Sequence, residues 1–409
     1  MMKNSNVIAR KQKQRILEAL SLFPAVVVTG ARQVGKSTLA MDCLPGATYL
    51  SLDLPSQADR AQHNAPDFLA GLKEPAIIDE IQYAPELFRH LKLAIDAKRT
   101  PGRFLLTGSQ TFSLMAGVSE SLAGRVAVLS LFGLSSFELN IAPSDQDRLL
   151  WRGGFPELWQ KPEMPRELWM SSYVATYLER DVRQIVQVGN LRDFDRFMRA
   201  CALRAGQLLS YSDLARDVGV APNTIKSWIS ILEASHQIFL LEPYFKQGTK
   251  RLVKSPKLYF HDTGLLLFLL GFQSMEDVVR HVSWGAIWEN FVIAEIWKLL
   301  HEDTRRMSLW FWRTSQGDEV DLLIEEAPQR FLAIESKAAE RVNASAFKGC
   351  RALAREYGSD TVTGAYIVCR TQVPYPVESS FSGAMALPLL GPDGMLGKLV
   401  ANELLATSL

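Results

Sequence analysis

Residues 30–37 (GARQVGKS) fit the G-x-x-x-x-G-K-[ST] pattern of a phosphate-binding loop. An apolar run, residues 25–28, precedes them, and we predict a helix beginning near Ser37. Glycines allow a tight turn whose N–H groups, with the helix N-terminus, face the β- and γ-phosphates of a nucleotide. Lys36 would reach those phosphates, and the Ser37 hydroxyl would bind Mg²⁺. The predicted nucleotide-binding residues are Gly30, Ala31, Arg32, Gln33, Val34, Gly35, Lys36, Ser37 and Thr38.

An acidic pair, Asp79 and Glu80, follows the apolar residues 76–78. A carboxylate at the carboxyl end of a buried parallel strand lies in the crevice where such sheets bind ligands. We therefore expect Asp79 to hold Mg²⁺ through water and Glu80 to polarise the attacking water. The alternative for this pair is a solvated turn.

The elements that must position these residues occupy the first 140 residues, where apolar strands alternate with amphipathic helices. That alternation is typical of a parallel α/β sheet. We predict a basic helix over residues 1–22 and strands over residues 25–28, 48–52, 76–78, 103–108 and 126–131.

A composition of 47% hydrophobic and 22% charged residues is typical of a globular protein. The length of 409 residues predicts two or three domains. A net charge of +1 neither requires nor excludes a nucleic-acid partner. The four cysteines are scattered without a CxxC pair, which favours a reducing compartment and argues against a zinc site. No signal peptide opens the sequence, and its most apolar run, residues 264–271, is too short to span a membrane. We therefore expect a cytoplasmic protein with no membrane partner.

A helix-turn-helix pattern follows in the middle of the chain, with helices predicted over residues 211–218 and 221–232. Residues 238–245 and 251–259 would form its wing. If this segment binds DNA, Asn223, Thr224 and Lys226 face the groove, and a basic cluster over residues 246–257 contacts phosphates in a salt-dependent way. The candidates in that cluster are Lys246, Lys250 and Arg251. The alternative is a winged-helix lid that only packs subunits together.

Near the C-terminus, Asp321 on one predicted strand and Glu335 and Lys337 on the next form a D…ExK arrangement. Strand alternation puts Glu335 and Lys337 on one face. There two carboxylates could hold Mg²⁺ while the lysine orients or activates water. The alternatives are a salt bridge between Glu335 and Lys337, or a cleft that binds a ligand without cutting it.

Taken together, the motifs TGARQVGKST, AIIDEIQ, LLTGSQ, LAGR, RGGFPE and YFHDTGL resemble one family of bacterial and archaeal AAA+ ATPases, over nearly the whole chain. The C-terminal domain of that family is of unknown function and related to the PD-(D/E)xK nucleases. The resemblance implies that Ser109, or alternatively Thr107, senses the γ-phosphate, and that Glu289 joins Asp321, Glu335 and Lys337 in a nuclease-like site.

The same resemblance implies that Arg125 reaches the nucleotide of a neighbouring subunit in a ring or other homo-oligomer. Arg152 is a candidate for a second nucleotide-facing arginine, in the lid. The alternative for Arg125 is a surface or sheet-edge arginine. The predicted fold is α/β: an AAA+ core over residues 1–145, a helical and winged-helix segment over 146–270, and a nuclease-like domain over 271–409.

We expect an ATPase that uses ATP and Mg²⁺, couples hydrolysis to DNA, and has a C-terminal domain whose ability to cut DNA is left open. One alternative is a motor that remodels branched or junction DNA with a cleft that does not cleave. Another is a nucleotide-dependent switch that binds protein partners.

Overall fold

The computed structural model describes residues 7–109, 122–177, 191–245, 253–302 and 307–404. The chain forms two compact units, each built from several segments. The first contains Met1–Leu134, Gly154–Val188 and Ile229–Gln237, and the second contains Ser135–Gly153, Gly189–Trp228 and Ile238–Leu409. The three-domain division with boundaries at residues 145 and 270 stays a prediction.

Fourteen strands are assigned in the described residues. The first five are β1 (Ala25–Thr29), β2 (Thr48–Ser51), β3 (Ala76–Asp79), β4 (Phe104–Gly108) and β5 (Val126–Ser130). The next three are β6 (Gln207–Leu208), β7 (Ile238–Leu241) and β8 (Lys257–Phe260). The last six are β9 (Ser308–Arg313), β10 (Glu319–Ala327), β11 (Arg330–Lys337), β12 (Val362–Cys369), β13 (Tyr375–Pro376) and β14 (Met385–Leu387).

The α-helices of the first half are α1 (Gln12–Leu22), α2 (Lys36–Cys43), α3 (Pro55–His63), α4 (Ala65–Ala70), α5 (Leu87–Ala97), α6 (Gln146–Arg152), α7 (Pro156–Gln160), α8 (Arg166–Tyr177) and α9 (Leu191–Ala202). Those of the second half are α10 (Tyr211–Val218), α11 (Pro222–Ala234), α12 (Thr263–Leu270), α13 (Met275–Arg280), α14 (Trp284–His301), α15 (Lys348–Tyr357) and α16 (Met395–Val400). No helix in the described parts of the chain is long and apolar enough to cross a membrane.

The first unit is organised around a five-stranded sheet of order β2-β3-β4-β1-β5, in which every pairing is parallel. This confirms the predicted parallel α/β sheet. Strands β1, β3 and β4 are buried along their whole length, as expected of central strands covered on both faces. The sheet therefore brings the carboxyl ends of β1, β3 and β4 to one edge, where the loop of residues 30–37 also lies.

The predicted basic helix over residues 1–22 is shorter in the structure. Residues 7–10 have no regular secondary structure, and α1 begins at Gln12. The side chain of Arg10 instead donates to two main-chain carbonyls of the first unit, which hold this segment in place.

The second unit contains two sheets. A six-stranded sheet has the order β13-β14-β12-β11-β10-β9, with β9, β10 and β11 antiparallel and β11, β12 and β14 parallel. A core that includes Trp312, Leu323, Phe331 and Leu353 packs α15 against it. The smaller sheet, β6-β8-β7, is antiparallel and contains the predicted wing strands.

The predicted helix-turn-helix is present as α10, a turn at Gly219 and α11. Ser210 caps α10 by accepting a hydrogen bond from the Asp213 N–H, and Gly219 ends it with φ +84°. Asp262 caps α12 in the same way, through the Leu265 N–H at 2.8 Å. Local capping signals in the sequence therefore set these helix ends.

Candidate functional site

The loop of residues 30–37 connects β1 to α2 in a conformation that its glycines permit. Gly30 has φ +155°, and a Cβ there would lie 2.1 Å from the Leu131 carbonyl oxygen. Gly35 has φ +92° immediately before α2. The Lys36 ammonium is buried and donates to the carbonyls of Gly30 (3.0 Å) and Ala31 (2.8 Å). Lys36 therefore lies curled within the loop that is expected to hold phosphates.

The other predicted loop residues surround this turn. Gln33 has φ +63°, and Arg32 donates to the Tyr83 hydroxyl at 3.2 Å. Arg10 donates to the Val34 carbonyl and to the Phe132 carbonyl, both at 2.7 Å, which ties the loop to the chain beyond β5. Sequence reasoning did not identify Arg10 as a neighbour of the loop, because nothing local links residues so far apart.

Asp79, at the end of β3, accepts hydrogen bonds from three hydroxyls. Ser37 lies 3.0 and 2.9 Å from its two oxygens, the Tyr49 hydroxyl lies 2.7 Å away, and Thr107 makes a further close bond. Burial, and then the bond to Asp79, raise the pKa of Tyr49 above its usual range. Thr107 was predicted only as an alternative phosphate sensor. The contact of Tyr49 with Asp79 was not predicted, because it depends on the pairing of β2 with β3.

Glu80 is held beside the end of β4. Its backbone is left-handed, with φ +55°. Ser109 donates to its carboxylate at 3.1 Å, and the Gln82 amide bonds both that carboxylate and the Ser109 hydroxyl, the latter at 3.2 Å. The predicted catalytic carboxylate and the predicted sensor are thus direct neighbours, and Gln82 is a further member of the site.

This arrangement fits a nucleotide with Mg²⁺. A carboxylate and a hydroxyl within hydrogen-bond reach are hard oxygen ligands of the kind that Mg²⁺ prefers. Ser37 and Asp79 would hold the metal, and Lys36 with the loop N–H groups would hold the phosphates. Bound Mg²⁺ would supply charge neutralisation on the phosphate oxygens.

A cleft of about 580 Å³ opens next to this loop within the first unit. Gln33, Gly35 and Thr38 form one side of it. Apolar and polar side chains form the rest: Val7, Ile8, Arg10, Leu39, Asp42, Leu134, Pro156, Glu157, Gln160 and Lys161. Its size and mixed lining suit a small ligand whose phosphates reach the loop.

Arg125 lies just before β5 and forms a bidentate ion pair with Asp96 of the same chain. Its guanidinium donates to the two Asp96 oxygens at 2.8 and 2.9 Å and to the Ala123 carbonyl at 3.1 Å. The guanidinium, mainly by hydrogen bonding, lowers the pKa of Asp96. An arginine that serves a neighbouring subunit would have to leave this pair. Arg152 ends α6 in the second unit.

The four residues predicted for the nuclease-like site line one cleft of about 640 Å³ in the second unit. Asp321 comes from β10, Glu335 and Lys337 from β11, and Glu289 from α14. The Lys337 ammonium lies 2.9 Å from Glu335 and 3.7 Å from Asp321. The Ser336 N–H and hydroxyl both donate to Asp321, at 2.7 and 3.2 Å. The structure therefore brings the D…ExK residues and Glu289 together.

Three carboxylates in this cleft form a candidate metal group, which includes the predicted Glu289 and Asp321 and also Glu319. Ligand oxygens of Glu289, Glu319 and Asp321 lie within 4.8 Å of one another, an arrangement that could hold a metal ion. Glu335 pairs with Lys337, and its Oε1 is buried without a hydrogen-bond partner. Its role as a metal ligand stays a prediction. Glu319 was missed, although strand alternation places it on the same face as Asp321.

The structure places Lys257 differently from what the sequence predicted. It was placed in the basic cluster over residues 246–257 that would contact phosphates, but its side chain is buried at the floor of this cleft. Its ammonium lies 2.8 Å from Glu289 and contacts Glu319 closely. Tyr259 donates to the same Glu289 oxygen at 2.6 Å. The physical reason is that Lys257 opens β8, a buried strand, where an unpaired ammonium would be costly.

Burial dominates the protonation of the acids in this cleft. It raises the pKa of Glu289 to about 7, although Lys257 opposes the shift. Burial, followed by repulsion from Asp321, raises the pKa of Glu335 to about 8. Burial disfavours the charge on Lys337, but the carboxylates of Asp321 and Glu335 outweigh it and raise its pKa.

The predicted DNA-facing residues lie at the start of α11, where Asn223 and Lys226 are exposed and Thr224 is half-buried. Their contact with DNA stays a prediction. Lys246, Lys250 and Arg251 lie outside the described residues.

Comparison with known proteins covers the chain in three parts. Residues 22–140 match an AAA domain, residues 143–276 match a domain of unknown function (DUF8612), and residues 284–390 match a second domain of unknown function (DUF4143). Two mycobacterial relatives are each 35% identical over 321 residues, which is 77% of this chain and 71% of theirs. They are the uncharacterized protein Rv2008c of Mycobacterium tuberculosis and Mb2031c of Mycobacterium bovis. The chain belongs to their family.

The AAA domain of this family member contains the loop of residues 30–37, Asp79, Glu80, Ser109 and Arg125. It is an AAA-type P-loop ATPase domain, as the motifs indicated. A solved Walker-type ATPase, PABY2304 of Pyrococcus abyssi, resembles 65% of this chain and 97% of its own at 15% identity, with a TM-score of 0.42.

Proposed function

We propose that this AAA protein binds ATP with Mg²⁺ at the loop of residues 30–37, hydrolyses it, and couples hydrolysis to the binding and processing of DNA. The observation that carries the ATPase part is the joining of Ser37 to Asp79 and of Ser109 to Glu80 at one edge of the parallel sheet. If Ser37 and Asp79 hold the metal, it would lie near Glu80, which would activate the water.

Each residue then has one task. Lys36 leaves the carbonyls of Gly30 and Ala31 and turns its charge towards the phosphates. Ser37 and Asp79 hold the metal, and Glu80 accepts a proton from the attacking water. Ser109 and Gln82 keep the Glu80 carboxylate oriented until substrate arrives.

We further propose that the protein works as a homo-oligomer in which Arg125 completes a neighbour's nucleotide site. Arg125 retains 21% exposure of its side chain while paired with Asp96, so a partner could approach it. If the Arg125 guanidinium leaves Asp96 for a γ-phosphate, it exchanges one anionic partner for another and stays paired.

The DNA part is supported by the exposed start of α11, which carries Asn223 and Lys226 in a helix-turn-helix arrangement. Binding led by phosphate contacts would weaken steeply as salt is raised. The rivals are a motor acting on branched DNA whose C-terminal cleft does not cleave, and a switch that binds protein partners.

A second candidate function is metal-dependent phosphodiester cleavage in the C-terminal cleft. Three carboxylates with oxygens within 4.8 Å of one another, and Lys337 beside Asp321, favour it. The donor set of carboxylate oxygens suits Mg²⁺ or Mn²⁺. Glu289, Glu319 and Asp321 would hold the metal, and Lys337 would orient water.

The test is the ATPase rate with and without single-stranded, duplex and four-way-junction DNA at low and moderate salt, each substrate then being run on a gel. Salt-sensitive stimulation by one DNA structure is the expected result, and Lys36→Ala is the inactive control. Cutting that disappears in Lys337→Ala while ATPase remains would assign cleavage to the C-terminal cleft. No stimulation by any DNA would overturn the coupling to DNA and favour a switch directed at proteins.

A further inference from the structure

The floor of the C-terminal cleft is occupied by the side chain of a lysine. Lys257 is 2% exposed, and its ammonium contacts Glu289 at 2.8 Å and also Glu319. These are two of the three carboxylates whose oxygens cluster within 4.8 Å. A divalent ion and this ammonium would therefore compete for the same oxygens.

The remaining oxygens are also partly engaged. Tyr259 donates to the Glu289 oxygen that Lys257 already contacts, at 2.6 Å. Arg313 holds the other Glu319 oxygen at 2.7 Å, and Ser336 donates twice to one oxygen of Asp321. In this arrangement the carboxylates already have cationic or hydrogen-bonding partners.

The charge of the cleft points the same way. Its lining includes five acidic side chains, Glu289, Asp318, Glu319, Asp321 and Glu335, and four basic ones, Lys257, Arg313, Lys337 and Lys348. By formal charge, five minus four leaves one net negative charge, and a divalent ion would reverse its sign. Removing Lys257 leaves two formal negative charges and also frees the oxygens of Glu289 and Glu319 that its ammonium contacts, which a divalent ion would need.

A carboxylate oxygen of Glu335, in this cleft, is buried without a hydrogen-bond partner. Glu335 is 4% exposed, and its Oε1 is buried and accepts no hydrogen bond. An orphaned buried carboxylate oxygen carries a desolvation cost that a cation could relieve. Lys257 contacts the Glu289 and Glu319 side of the cluster and leaves this oxygen unsatisfied.

We propose that Lys257 is an internal cation that closes the carboxylate cluster to divalent ions, so that metal binds tightly only when Lys257 is displaced. The inference rests on the second candidate function, because it concerns the regulation of that same cleft. It predicts that the wild-type protein cleaves DNA slowly or not at all at ordinary Mg²⁺ concentrations. The Lys257 side chain alone would prevent metal binding.

The experiment measures Mn²⁺ binding to the full-length, nucleotide-free protein by electron paramagnetic resonance and by calorimetry. We expect weak binding by the wild type, and binding at least about tenfold tighter by Lys257→Met, because a competing like charge is removed. Adding Asp321→Asn to Lys257→Met should abolish the gain and so locate the metal in this cleft rather than at Asp79.

The matched control is Lys348→Met. Lys348 lines the same cleft and pairs with Asp318 at 2.8 Å, but 72% of its side chain is exposed. It changes the formal charge of the cleft by the same amount, and we expect no tighter binding. Lys257→Arg keeps the cation and should behave as wild type, and Lys257→Gln should show the gain if Lys257→Met does not fold.

The outcomes separate the two hypotheses. Tight binding by the wild type that Asp321→Asn abolishes would overturn the role of Lys257 and leave the metal-dependent cleft standing. An equal gain in Lys348→Met would also overturn it. Absence of binding that depends on Asp321, in the wild type and in every Lys257 variant, would overturn the metal site itself, and the inference with it.

Discussion

The Ser37 hydroxyl lies 3.0 and 2.9 Å from the two carboxylate oxygens of Asp79 and donates to them. This contact joins the first turn of α2 to the end of β3, and hence the two halves of the nucleotide site. The same carboxylate also accepts bonds from Tyr49 and Thr107. Hydroxyl groups therefore surround the oxygens that are expected to face a metal. Removing one of these hydroxyls should affect folding stability and metal affinity separately.

Tyr49→Phe removes one of these donors without changing the ring. We expect the free energy of unfolding of the nucleotide-free protein to fall by about 1 kcal/mol, because a hydrogen bond to a carboxylate is lost. Affinity for Mg²⁺ with ADP should stay equal or rise, since Asp79 has one competing donor fewer. Denaturation with and without Mg²⁺ and ADP measures both, and weaker binding would contradict the expectation.

Lys36→Ala should abolish nucleotide binding while the fold is kept, because the Lys36 ammonium is expected to bind the phosphates and donates here to two carbonyls of its own loop, those of Gly30 and Ala31. Titration with a fluorescent ATP analogue measures it. Lys98→Ala is a suitable control, since Lys98 is an exposed lysine of the same unit that pairs with Glu74 at 3.2 Å and does not line the cleft beside the loop. Normal ATP affinity in Lys36→Ala would refute the phosphate-loop assignment.

Glu80→Gln should bind ATP normally and lose hydrolysis by roughly a hundredfold or more, the range of a missing general base. The amide keeps the size of the side chain and can still meet the Ser109 hydroxyl, so the local structure is preserved. Single-turnover hydrolysis with bound ATP separates binding from chemistry. A variant that hydrolyses ATP at the wild-type rate would show that another group activates the water.

Arg125 and Asp96 can be separated by a pair of variants. If Arg125 acts in a neighbour's site, Arg125→Ala lowers the ATPase rate at high protein concentration, whereas Asp96→Asn frees the guanidinium and keeps the rate. If the pair is only structural, both variants leave the rate per subunit unchanged. Rates over a range of protein concentration, with the oligomeric state measured by sedimentation, decide between these results.

Gly349, in the first turn of α15, allows the helix to pack against the cleft. A Cβ there would lie 1.6 Å from the Glu319 carbonyl oxygen and 2.7 Å from Glu335 Oε1. Gly349→Ala should therefore destabilise the second unit by about 3 kcal/mol or prevent its folding. Gly285→Ala, in α14 with nothing within 4 Å of the added carbon, should be neutral or stabilising by up to about 1 kcal/mol. Thermal unfolding of the two variants provides the comparison.

Sequence alone determined the elements whose causes are local. Apolar runs predicted β1 to β5 to within one or two residues, and glycines at positions 30 and 35 marked the turn before α2. The D…ExK spacing placed Asp321, Glu335 and Lys337 on neighbouring strands, which the register of β10 and β11 bears out. Hydrophobic periodicity, helix capping and turn preferences act over a few residues, so they can be recognised in the sequence before the fold is known.

Only the tertiary structure decided how side chains from distant elements are paired. Lys257 looks in sequence like part of a basic cluster, yet β8 buries it against Glu289 of α14 and Glu319 of β10. Tyr49 meets Asp79 because β2 lies beside β3, and Arg125 meets Asp96 across 29 positions of sequence. Such contacts depend on strand order, register and burial, because these decide which side chains distant in sequence meet and, for a buried charge such as Lys257, which groups must neutralise it.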